Sequence, residues 1–191
     1  RQLHLDEVTD AYRLVHAEGD GLSGLIAERY ADYLVFEVFS LGVYQRCGEF
    51  ARLLAELLGP ATALDRPGKA GANWHVLVRA DARIEHLEGF HANHTLPPGT
   101  PAQVTIREHG LRYRVDVKEG HKTGFFCDQR DNRLRLARLC RDATLLDLCC
   151  YTGGFSLGAV KLGGAQAVTG VDLDENAIAV ACENANLNQV R

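Results

Sequence analysis

Two carboxylates and one glycine turn hold the chemistry that can be read directly from this chain. Asp147 stands in the apolar run 144–150, and the turn Cys149-Cys-Tyr-Thr-Gly-Gly154 follows it. Asp172 stands near the end of a second apolar run, 167–173, twenty-five residues after Asp147. Glycines let a ligand approach the backbone closely, and amides at the start of a helix can donate to it. A carboxylate at the end of the second strand is placed to accept both hydroxyls of a ribose. Each such charged hydrogen bond contributes about 1.5–3 kcal/mol, enough to select nucleosides over most metabolites. The first glycine of G-x-G-x-x-G is missing, and Asp147 would repel a pyrophosphate, which argues against a nicotinamide dinucleotide. An acidic strand end suits a cofactor with a cationic amino group, and this points to S-adenosyl-L-methionine.

The elements that must position these residues alternate. The pattern predicts a helix over 129–140 capped by Asp128 or a neighbour, a strand over 144–150 and a helix over 155–162. A buried strand over 167–173 and a helix over 175–188 follow, the last with Ile178, Cys182 and Ala185 on one face. Strand, glycine turn, helix, strand, helix is the opening of a doubly wound α/β sheet. Upstream the character is different. Strands are expected over 13–18, 25–30, 33–40 and 74–79, one amphipathic helix over 43–58, and a hairpin from 103–108 and 111–117 around His109-Gly110. The fold class is therefore an α+β domain over 1–118, then the start of an α/β, Rossmann-like sheet over 119–191.

The 191-residue chain has a formal net charge of −4, so no global basic field marks a nucleic-acid partner. Locally, residues 121–141 hold Lys122, Arg130, Arg133, Arg135, Arg138 and Arg141 against Asp128 and Asp131. Such a stretch can follow a phosphate backbone, or it can be a solvated helix face. Six cysteines with no C-x-x-C spacing read as reduced thiols. No apolar run reaches the ~18–20 residues that cross a bilayer, so the expected location is cytoplasmic. His86, His91 and His94 lack a further ligand at metal spacing, and no metal is expected.

The run Gly120-His-Lys-Thr-Gly-Phe-Phe-Cys-Asp-Gln-Arg-Asp-Asn-Arg133 is long and specific. Together with Leu146-Asp-Leu-Cys-Cys-Tyr-Thr-Gly-Gly-Phe-Ser156 and Val171-Asp172, it resembles the class I methyltransferases of the large-subunit rRNA cytosine-C5 type. The stretch from Tyr12 to Ile26 resembles the start of that family's central domain, so the likeness covers nearly the whole chain. It implies that Asp147, Cys149, Tyr151, Thr152 and Gly153 line the cofactor loop. Asp172 would hold the ribose and Leu173 would lie near the adenine. Phe126, Gln129 and Arg130 would close the pocket, Arg130 on the methionine carboxylate. Lys122, Arg133, Arg135 and Arg138 are the candidates for contact with ribosomal RNA.

Methylation at C5 of a pyrimidine needs a nucleophile that adds to C6. The resemblance implies a cysteine for this, beyond Arg191, and an Asn-Pro-Pro or acidic motif that shapes the base pocket. Leu96-Pro-Pro-Gly99 precedes the cofactor loop and is not that motif. Only two strands of a sheet of about seven are recognisable, so the expectation is an inactive fragment with an exposed parallel edge. The family also implies a PUA domain ahead of residue 1, and a homo-oligomer is left open. Two other readings stand beside the first: an rRNA guanine-N7 methyltransferase, which needs no cysteine, and a non-catalytic RNA-binding module.

Overall fold

The computed structural model describes residues 4–60, 74–118 and 124–190. The chain forms two compact units, one of residues 1–106 and 115–125, the other of residues 107–114 and 126–191. The division is thus not a single cut near residue 118. The tip of the 103–116 hairpin groups with the second unit, and Phe125 and Phe126 fall on either side of the division.

The first unit is built on a four-stranded sheet in the order β1 (Ala11–His16), β2 (Leu25–Tyr30), β3 (Tyr33–Val38) and β4 (His75–Arg79). The first three run antiparallel, and β4 pairs parallel to β3 with Tyr33 opposite His75. Ala31-Asp32 makes the tight β2–β3 turn, with Ala31 at φ 53°. Parallel pairing needs a crossover, which helices α1 (Leu41–Tyr44) and α2 (Cys47–Leu58) provide between β3 and β4. The single helix expected over 43–58 is therefore two. Ser40 caps the first, and the chain tightens where the Arg46 amide reaches back only three residues to the Val43 carbonyl. The apolar stripe of α2 meets Leu25, Ala27, Leu34 and Phe36 in the core. Helix α3 (Ala82–Glu88), absent from the expectations, starts at an Asp81 cap and stops at Gly89 in the left-handed region.

The hairpin strands are β5 (Gln103–Glu108) and β6 (Leu111–Asp116). In the second unit, α4 (Arg130–Ala137) precedes β7 (Thr144–Leu148), α5 (Gly154–Lys161), β8 (Ala167–Val171) and α6 (Glu175–Leu187). Gln129 rather than Asp128 occupies the N-cap of α4, and a 3-10 turn leads into it. β7 and β8 are parallel, with Asp147 opposite Gly170.

β8 is not the buried strand that its composition suggests. Four of its five residues are exposed, and along β7 exposed and half-buried residues alternate. Each strand has a single neighbour among the described residues, and side chains on successive positions point to opposite faces. One face of β7 consequently leaves Leu146 59% and Leu148 67% exposed. No helix among the described residues is long and apolar enough to cross a membrane.

Candidate functional site

The turn between β7 and α5 is a strained loop held by several anchors. Cys149, Tyr151 and Gly153 all take left-handed φ values, of 60°, 50° and 80°. Only Gly153 adopts that conformation without steric penalty. Cys149 and Tyr151 hold it at a cost of about 1–3 kcal/mol each, sustained by their surroundings. The Cys150 amide donates to the Val171 carbonyl at 3.0 Å, and the Gly153 amide to the Cys150 carbonyl at 2.9 Å. The Tyr151 amide donates to Asp172 Oδ2 at 2.8 Å.

Asp172 thus joins the two strand ends. Its Oδ1 also accepts the Asp174 amide at 3.0 Å, and Asp174 in turn caps α6. Asp147 lies on the half-buried side of β7 and accepts the Ser156 hydroxyl at 2.6 Å. Ser156 was not among the candidates, although its place three residues after Gly153 puts it in the first turn of α5.

The remaining candidates divide. Phe126 meets Tyr151 edge to face, with ring centroids 5.2 Å apart. Leu173 is fully exposed just past β8. Thr152 is buried, and its carbonyl accepts the side-chain amide of Asn184 at 3.0 Å. Gln129 accepts from Asn132, and the Arg130 guanidinium pairs with its neighbour Asp131 at 3.2 Å. Arg135 on α4 and Arg138 at its C-cap are exposed. Lys122 lies outside the described residues.

Arg133 departs from expectation. It is buried at 4% exposure and grips Glu108 with two bonds of 2.7 Å, Nε to Oε1 and Nη2 to Oε2. Its Nη1 donates to the Phe126 carbonyl at 3.1 Å. It is a strut inside the second unit, not a surface cation available to RNA. Nothing in the charge run separates it from Arg135, because its partner lies twenty-five residues upstream.

The two adjacent thiols differ in character. Cys149 is exposed and Cys150 buried. Burial, then the nearby Asp147 and Asp172 carboxylates, push the Cys150 thiol up from its ordinary value. A thiolate nucleophile needs the opposite shift.

A cavity of about 360 Å³ lies against β8, α5 and α6, lined by Gly153, Leu157, Val168, Ile178, Cys182 and Ala185 among others. The apolar face expected on α6 lines this cavity, whereas the helix's buried positions are Ala177 and Asn184. The cavity lining contains no carboxylate, so it does not suit a charged nucleoside. At the strand ends, by contrast, two carboxylates, loop amides and an exposed apolar residue lie along one short stretch.

Comparison with known proteins gives the family. The profile of a family described as S-adenosylmethionine-dependent methyltransferase matches residues 73–190. The chain is 41% identical over 180 residues to the ribosomal RNA large subunit methyltransferase I of Aeromonas hydrophila, covering 93% of this chain and 42% of that protein. It is 35% identical over 184 residues to the protein of the same name from Escherichia coli O139:H28, covering 95% and 43%. The chain therefore spans less than half the length of these relatives. A crystal structure of a methyltransferase complexed with SAH superposes with a TM-score of 0.76 at 27% identity, covering 100% of this chain and 45% of that one.

Proposed function

Because the chain belongs to the S-adenosylmethionine-dependent methyltransferase family, we propose that its second unit binds the cofactor of an enzyme that methylates C5 of a cytosine in large-subunit ribosomal RNA. The observation that carries the cofactor assignment is the Asp172 carboxylate, held at the carboxyl end of β8 by the Tyr151 amide of the loop. In this reading Asp172 accepts the ribose hydroxyls and Leu173 flanks the adenine. Asp147, Cys149, Tyr151, Thr152 and Gly153 surround the amino-acid end, and Phe126, Gln129 and Arg130 cover it. The cofactor supplies a methyl group already activated on a sulfonium sulfur.

The ribosomal target is supported by the names of the curated relatives and by the residues of the 120–133 run. Arg135 on α4 and Arg138 at its C-cap, both exposed, are the cations offered to the RNA backbone. C5 is a poor nucleophile until a thiolate adds at C6. The raised Cys150 thiol is unsuited to that step, so this reading assigns the nucleophile elsewhere. Disruption of the gene, followed by nucleoside analysis of large-subunit rRNA, tests the target. Loss of one 5-methylcytidine is expected. Loss of a 7-methylguanosine would move the assignment to guanine N7, and unchanged rRNA would remove the ribosomal reading altogether.

A further inference from the structure

Two asparagines do different work, Asn184 in the last turn of α6 and Asn188 at its C-cap. Asn188 holds one residue of the hairpin strand β6 by both backbone groups. Its Oδ1 accepts the Arg112 amide at 2.9 Å and its Nδ2 donates to the Arg112 carbonyl at 2.7 Å. Asn184, with no exposed surface, is split between two elements. Its Oδ1 accepts the Arg114 amide at 2.6 Å, and its Nδ2 donates to the Thr152 carbonyl at 3.0 Å. One carboxamide therefore spans from β6 to the middle of the strained loop.

Further anchors of that loop come from the end of β8, from the residue just past it and from the loop itself: Val171, Asp172 and the Cys150 carbonyl. The bond to Asn184 comes from a different direction and fixes Thr152, the residue between the two left-handed positions Tyr151 and Gly153. A strained conformation persists only where its surroundings over-determine it. We infer that Asn184 is a positioning residue for the cofactor loop, holding Thr152 so that the Tyr151 and Gly153 backbone is set for the adenosyl ligand before it arrives. It touches no reacting atom and acts through the loop. The same carboxamide makes the hairpin tip part of the cofactor site's support, because Arg114 supplies the donor that orients it. The inference rests on the cofactor reading above.

The test compares the two asparagines. The affinity of the protein for S-adenosylhomocysteine and its thermal midpoint are measured for wild type, Asn184→Ala, Asn184→Asp and Asn188→Ala. Asn184→Asp keeps an acceptor for Arg114 but removes the donor to Thr152. Both Asn184 variants are expected to bind at least about tenfold more weakly, the scale of one lost buried hydrogen bond. Asn188→Ala is expected to lose thermal stability while keeping wild-type affinity, because Asn188 meets the hairpin and the Asn184 backbone carbonyl but not the loop. Equal affinity losses at Asn184 and Asn188 would reduce both to structural roles and overturn the inference. So would unchanged affinity in the Asn184 variants. If Asn184→Asp does not fold, Asn184→Ala alone decides, since it buries no new charge. If the wild type itself binds no S-adenosylhomocysteine, the cofactor reading fails first and the inference with it.

Discussion

At the scale of single residues, the most consequential finding is the Arg133–Glu108 pair, with side chains 5% and 3% exposed. Removing one partner from a buried ion pair leaves a desolvated charge and costs about 3–5 kcal/mol, whereas replacing both with apolar groups is often neutral. Arg133→Met should therefore lower the urea-derived stability by that amount, and Arg133→Met with Glu108→Leu should recover most of it. A single variant as stable as wild type would contradict the strut. The thiols give a second check. Cys149 and Cys182 are exposed, and the other four cysteines are buried. Maleimide near neutral pH should label Cys149 and Cys182 quickly and the rest only after unfolding. Burial pushes the Cys47 thiol up to about 11. The stability gained from its neutral form is full below the ordinary thiol value and is lost as the pH rises through about 11. Fast labelling of Cys47 near neutral pH would contradict that burial. Residue type and spacing singled out Asp147 and Asp172 as candidates, because each carboxylate stands at or near the end of an apolar run. They could not reveal Arg133 or Asn184, whose roles depend on partners far away in the chain.

At the scale of elements, periodicity and caps located nearly every strand and helix to within a few residues. The misses have local causes. Helix α3 is short and carries three charged residues, so its apolar period is faint. Apolar composition overstated the burial of β8, because composition does not count neighbouring strands. The difference in burial predicts a difference in local stability. In β2 and β3, Leu25, Ala27, Tyr30, Leu34 and Phe36 are wholly buried, while Leu146, Leu148 and Val171 of β7 and β8 are 45% to 67% exposed. Native-state hydrogen exchange should find the β2–β3 amides protected at least about tenfold more than those of β7–β8. Equal protection in the two sheets would contradict this.

For the molecule as a whole, a strained loop and two strand-end carboxylates stand in a chain whose family depends on S-adenosylmethionine. Length and charge alone were silent on this, and the 120–133 run carried the ribosomal reading, part of it outside the described residues. The division of the hairpin between the two units was not visible in the sequence, because it follows from contacts such as those of Asn184 and Asn188 with β6. The central claim is that the carboxyl ends of β7 and β8 bind an adenosyl cofactor through Asp172. Calorimetric titration with S-adenosylhomocysteine tests it most directly. The wild-type protein should bind, and Asp172→Ala should bind at least about a hundredfold more weakly, the effect of losing two charged hydrogen bonds to a ribose. An affinity left unchanged by Asp172→Ala would contradict the account.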